Sequence, residues 1–163
     1  MREIVVCLLI VAGLAARAPA AQSTVKPASG KPAIRACSLL TRDLVAKYDT
    51  LNPKVRDLFK PEEEAIGTHG SSCNDGGILL QVDPFVRHDD LRKSPGKDWQ
   101  PVAGLGDAAF FRDNGGRWGE LMVWTGSRHF TLQISVPNGA TAASVKPNAT
   151  GLATALISKL KAY

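Results

Sequence analysis

Three histidines and three cysteines have the widest chemical range in this chain, and none of them stands in a pattern that catalysis requires. His88-Asp89-Asp90 sets two carboxylates beside an imidazole, but adjacent residues on a short helix point apart, so the triplet reads as solvated surface. His69, Cys73 and Asp75 have H-x3-C-x-D spacing, which lacks the second sulfur or histidine pair of a metal site. Gly104-Leu105-Gly106-Asp107-Ala108-Ala109 matches the letters G-x-G-x-x-A. A dinucleotide loop follows a strand and opens a helix, whereas this one comes after Pro101 and leads into a predicted strand, so a turn is expected. No G-x-S-x-G, H-E-x-x-H or P-loop occurs. The sequence therefore predicts no catalytic residue, no metal site and no cofactor.

The aromatic residues are more informative. Asn114-Gly115 is a favoured two-residue hairpin turn between Phe110-Phe111 and Trp118, and Gly126-Ser127 reads as a second. The second turn pairs Val123 with Phe130, Leu121 with Leu132 and Gly119 with Ile134. The first pairs Phe110 with Gly119 and Ala108 with Leu121. Together they predict a three-strand meander with Ala108, Phe110, Leu121, Val123, Phe130, Leu132 and Ile134 on one apolar face. The opposite face then carries Phe111, Trp118, Glu120, Met122, Trp124, His129, Thr131, Gln133 and Ser135, with Glu120 and Gln133 within reach of His129. Two indoles, a phenyl ring and a thioether do not belong on a surface that meets only water. Either a helix or the 84–102 segment covers this face and makes a three-layer domain, or the face is partly open, or the strand register is other than the one drawn. In the open case Trp118, Met122, Trp124 and His129 form a platform for an apolar, glycan or peptide ligand.

The elements that position this meander can be traced along the chain. Arg2, an apolar run over residues 4–14 and Ala18-Pro19-Ala20 have the form of a cleaved export signal over residues 1–20. Arg17 interrupts the run too early for a membrane span, which needs about 20 apolar residues, so no stable membrane insertion is expected after cleavage. Loss of Cys7 would leave Cys37 and Cys73, an even number in an oxidising compartment, which predicts one disulfide. Closing a loop of about 37 residues stabilises a fold by about 4 kcal/mol in the chain-entropy model. Residues 21–35 are rich in Pro, Gly, Ser and Ala and read as a flexible leader, with the domain spanning 36–163.

Thr41 is placed to cap a helix, with Leu40 and Val45 as its hydrophobic staple. Asn52-Pro53 opens a second helix with Val55, Leu58 and Phe59 on one face, and Glu62-Glu63-Glu64 after it reads as a solvated run. Asn74-Asp75-Gly76-Gly77 is a turn before a strand at Ile78-Leu79-Leu80-Gln81-Val82, and Asp83-Pro84 opens a short helix through Leu91. Leu152, Leu156, Ile157 and Leu160 form the stripe of a closing helix that Pro147 bounds or kinks. The result is a single α+β domain: a mostly antiparallel sheet of about five strands, N-terminal helices tied to it by Cys37–Cys73, and the C-terminal helix on its apolar face.

At 163 residues with 44% hydrophobic and 21% charged, the composition is that of one globular domain. The net charge of +5 falls to +4 without residues 1–20, and no dense basic cluster argues for nucleic acid. Cys37-Ser38-Leu39-Leu40-Thr41, a second cysteine some 35 residues on, Val102-Ala103-Gly104-Leu105-Gly106-Asp107-Ala108-Ala109-Phe110, a paired strand and a closing Ala/Leu helix form a series. It resembles small bacterial secreted or lipoprotein domains of unknown function, a group likened to extracytoplasmic sensor domains. The resemblance covers about residues 36–160 and implies a disulfide-linked α+β domain outside the cytoplasm. It supplies no catalytic residues, and this chain lacks the lipobox cysteine of lipidated members. The expected function is non-catalytic binding or sensing in the periplasm or outside the cell, with a small ligand or an envelope protein as partner. A small secreted hydrolase-like enzyme and a structural or inhibitory partner protein are the alternatives.

Overall fold

The computed structural model describes residues 34–67, 70–84 and 88–161. The expected export signal, most of the expected leader and His69 lie outside these residues. Five helices are described: α1 (Ala36–Leu39), α2 (Arg42–Tyr48), α3 (Pro53–Arg56), α4 (His88–Lys93) and α5 (Ala142–Leu160). Seven strands form one sheet: β1 (Glu62–Ile66), β2 (Gly70–Asp75), β3 (Ile78–Val82), β4 (Gln100–Pro101), β5 (Ala108–Asn114), β6 (Trp118–Thr125) and β7 (Arg128–Ser135). Their order is β1-β2-β3-β7-β6-β5-β4, and every described pairing is antiparallel. The α+β class is as expected, but the sheet has seven strands where about five were predicted. β1 contains the glutamate run, and β4 is only two residues long.

One face is aliphatic and buries the core. Ile78, Leu80 and Val82 of β3 stand opposite Ile134, Leu132 and Phe130 of β7, and Leu121 and Val123 of β6 extend the same layer. Alternation along each strand sends these residues to one side. There Val145, Ala149, Leu152 and Leu156 of α5, spaced four, three and four, close over them. The helix starts at Ala142, so Pro147 lies inside it instead of bounding it. A proline costs the ladder one donor, and here the apolar stripe continues through it. At Gly119 a Cβ would lie 2.5 Å from Val145 Cγ2 and 2.9 Å from Phe111 Cζ, so helix and ring both rest against bare backbone.

β2 pins the N-terminal segment through three alternate residues. Ser71 Oγ accepts from the Ala36 N–H at 2.8 Å and donates to the Ile34 carbonyl at 2.6 Å. Cys73 forms the expected disulfide with Cys37, and the Asp75 carboxylate pairs with Arg42. These polar anchors hide β2 from any apolar-alternation test, which explains why Asn74 and Asp75 read as a turn. The core reaches back to buried Ile34, two residues before the expected boundary. Thr41 occupies the N-cap position of α2 without a side-chain cap bond, whereas Asn52 caps α3 by accepting from the Lys54 N–H at 2.9 Å.

The β6–β7 hairpin has the predicted register, including Val123 opposite Phe130 and Leu121 opposite Leu132. The β5–β6 register differs. Asn114 pairs with Trp118 across a loop of Gly115, Gly116 and Arg117, and Phe110 stands opposite Met122 instead of Gly119. Gly115 and Gly116 both adopt left-handed backbone, at φ 67° and 70°, and the Gly116 N–H donates to Asp113 Oδ1 at 2.6 Å. A longer loop replaces the two-residue turn, and the odd shift inverts β5. Ala109 and Phe111 enter the core, while Ala108 and Phe110 join Trp124 on the second face.

That second face is enclosed at Met122, Trp124 and His129. The chain leaves β3 and next pairs at β4, with β7, β6 and β5 between them in the sheet, so the connection containing α4 spans the width of three strands. α5 occupies the opposite side, and at the end of the connection Trp99 lies over Arg112 with 4.4 Å from guanidinium to ring centroid. Met122, Trp124 and His129 are 3%, 1% and 2% exposed. The open platform drawn through these three is therefore corrected to a closed layer.

Candidate functional site

Three groups of side chains line the second face, and β6 orders them from one end to the other. At the Trp124 end, Asp83 takes a left-handed backbone (φ 47°) that aspartate tolerates better than most residues. This conformation turns its carboxylate back onto β7. Oδ2 accepts from Arg128 Nη1, Oδ1 accepts from the His129 backbone N–H at 3.1 Å, and Oδ1 lies 3.5 Å from His129 Nδ1. Trp124 stacks along the imidazole with centroids 6.3 Å apart and planes 19° apart, and Phe110 meets the indole edge-on at 5.9 Å. The Trp124 Nε1 and Thr131 Oγ1 atoms in this layer are buried without hydrogen-bond partners among the described residues.

The middle group is an ion-pair network. Glu120 Oε2 accepts from Arg112 Nε at 2.6 Å, and Oε1 accepts from Gln133 Nε2 at 3.3 Å. Glu120 and Gln133 do meet each other, but the carboxylate beside His129 is Asp83. Sequence reasoning missed Asp83 because Asp83-Pro84 reads as a helix cap, and missed Arg112 because the β5 register was inverted.

Trp118, the first residue of β6, is different. It is half-buried and opens onto a surface cleft of about 450 Å³ lined by Leu51, Arg117, Ser135, Pro137 and Asn138, among others. Ser135 stands directly across from it on β7, and the Thr50 hydroxyl donates to the Ser135 carbonyl at 2.5 Å, which holds the Leu51 loop against this end of the sheet. The Arg117 guanidinium, the Ser135 hydroxyl and the Asn138 amide have no side-chain partner among the described residues. The cleft lining thus joins Trp118 and the aliphatic residues Leu51, Val136, Pro137 and Ala140 to three polar residues whose side chains have no partner among the described residues. Few polar groups convergent on an apolar wall are what a small-molecule site requires.

Two other places invite comparison. Asp75 is fully buried beside Arg42, and burial pushes its carboxyl above the usual carboxylate range despite the guanidinium. Its Oδ2 has no hydrogen-bond partner among the described residues. On the surface, Val55, Leu58 and Phe59 are 45%, 82% and 45% exposed, so these apolar residues point to solvent; the expected helix ends at Arg56, before Leu58 and Phe59. Leu58 and Phe59 line a cleft of about 390 Å³ with Lys60, Glu62 and Asn74.

The four residues proposed for the platform, Trp118, Met122, Trp124 and His129, share one face as predicted; Trp118 lines an accessible cleft, and the other three are buried. Among the described residues no group of three or more His, Cys, Asp or Glu side chains is placed to hold a metal ion, and no helix is long and apolar enough to cross a membrane. No family model matches the chain, and no curated protein or solved structure matches it.

Proposed function

We propose that this chain is an exported, non-catalytic binding module of the bacterial cell envelope and that a small ligand occupies the Trp118 cleft. The observation that carries this reading is the convergence of a half-buried indole with uncommitted Arg117, Ser135 and Asn138 around one cleft. The acid–base groups of the second face support it as well, because Asp83 and Glu120 are already engaged by Arg128, His129, Arg112 and Gln133. Export is supported by the Arg2, apolar-run and Ala18-Pro19-Ala20 pattern together with the Cys37–Cys73 disulfide. Native mass spectrometry of protein recovered from its own envelope tests the reading. A small adduct present on the wild type and lost in Trp118→Ala is expected; an adduct retained by both proteins places the ligand elsewhere.

The exposure of Leu58, Phe59 and Val55 favours a second reading, in which an envelope protein docks an apolar side chain beside Glu62. That reading predicts a co-purifying protein lost on Leu58→Asp and kept on Trp118→Ala.

A further inference from the structure

We infer that the Trp118 cleft takes an acidic saccharide, a pyranose ring bearing a carboxylate. This rests on the ligand-binding reading above and adds the chemistry of the ligand. Four features of the cleft select it. Trp118 supplies an aromatic wall, which asks for a flat apolar surface such as the C–H face of a pyranose. The Ser135 hydroxyl and the Asn138 amide have donors and acceptors to spare, so the ligand must carry hydroxyl or amide groups to match them. Arg117 is exposed, forms no ion pair among the described residues and is always charged; its planar fork matches a carboxylate. The two carboxylates nearest in sequence are engaged elsewhere: Glu120 accepts from Arg112 and Gln133, and Asp113 accepts from the Gly116 N–H at 2.6 Å.

The fourth feature is the shape of the cleft, which opens to the surface at the edge of the domain. A wholly apolar molecule would leave much of its area in water there, which forfeits the hydrophobic gain. A sugar has one C–H face to bury and hydroxyl groups that remain solvated. An aromatic carboxylate would satisfy Trp118 and Arg117 but leave Ser135 and Asn138 unmatched. The carboxylate can belong to a uronic acid or to the lactyl ether of an amino sugar; both present an anion beside a pyranose ring.

The test follows the Trp118 indole N–H resonance in the disulfide-intact protein during titration with trigalacturonate, N-acetylmuramic acid, maltotriose and benzoate up to about 10 mM, a range that detects the weakest specific binding. A shift with trigalacturonate or N-acetylmuramic acid is expected, and which of the two binds tighter identifies the source of the carboxylate. Arg117→Ala should weaken the acidic sugar about tenfold or more, with partial recovery in Arg117→Lys. Maltotriose binding as tightly as the acidic sugars, with no effect of Arg117→Ala, would overturn the acidic assignment and leave the cleft as a sugar site. Benzoate binding as tightly would overturn the saccharide assignment. A Trp118 resonance unmoved by all four probes would count against both the assignment and the cleft reading.

Discussion

Trp118 and Trp124 lie six residues apart on β6, share one face of the sheet, and have opposite fates. Trp124 is sealed between Phe110 and His129, and its indole nitrogen has no hydrogen-bond partner among the described residues. Trp118 sits at the strand end across from Asn114 and Ser135, small side chains that cannot cover it. The difference shows that the face of a sheet does not by itself set an environment. What surrounds each position does: Trp124 is 1% exposed, while Trp118 is half-buried beside a cleft.

The comparison can be broken or sharpened by experiment. The largest effect is expected from Trp124→Ala, which should cost about 3–5 kcal/mol in urea unfolding because a fully enclosed indole leaves a cavity. Equal losses for Trp124→Ala and Trp118→Ala would erase the distinction between the two ends. An intermediate effect concerns Asp75, a buried acid whose Oδ2 has no hydrogen-bond partner among the described residues, in contrast to Asp83 and Glu120. The folded pKa of Asp75 is raised, so the native state holds its proton at a pH where the unfolded chain has released it. Its contribution is fully present below the ordinary value of about 4 and declines as pH rises through the folded pKa. Wild type should therefore gain stability relative to Asp75→Asn on acidification toward about pH 4; a difference that is flat or grows with pH would show that the Arg42 pairing outweighs burial. Trp118→Ala should cost no more than about 1 kcal/mol, the range of a partly exposed position, while abolishing ligand binding. Leu58→Ser should leave stability within about 0.5 kcal/mol, since its side chain faces solvent.

Much of this architecture is legible where a strand alternates apolar and polar residues over a length that a single turn commits. The Gly126-Ser127 hairpin is such a case, and all its predicted pairs are present. Asn114-Gly115-Gly116 offers two successive glycines, and the loop that forms is one residue longer than the shortest option, which moves Phe110 and Phe111 to the faces opposite those predicted. β2 stayed hidden because Ser71, Cys73 and Asp75 are buried for their partners on the N-terminal segment, not for their hydrophobicity. In the candidate site, the shared face of Trp118, Met122, Trp124 and His129 was readable from period two. The partners Asp83, Arg112, Arg117 and Asn138 were not, because they come from turns and from a strand whose register depends on one.

By itself the sequence determined the α+β class, the disulfide partners, the closing helix and the side of the sheet on which each residue of β6 and β7 lies. These follow from local periodicity and from there being two cysteines beyond the expected export signal. Tertiary structure alone decided which indole is enclosed and which borders a cleft. That outcome depends on which elements pack beside each end of β6, a relation between segments distant in sequence that no local pattern encodes.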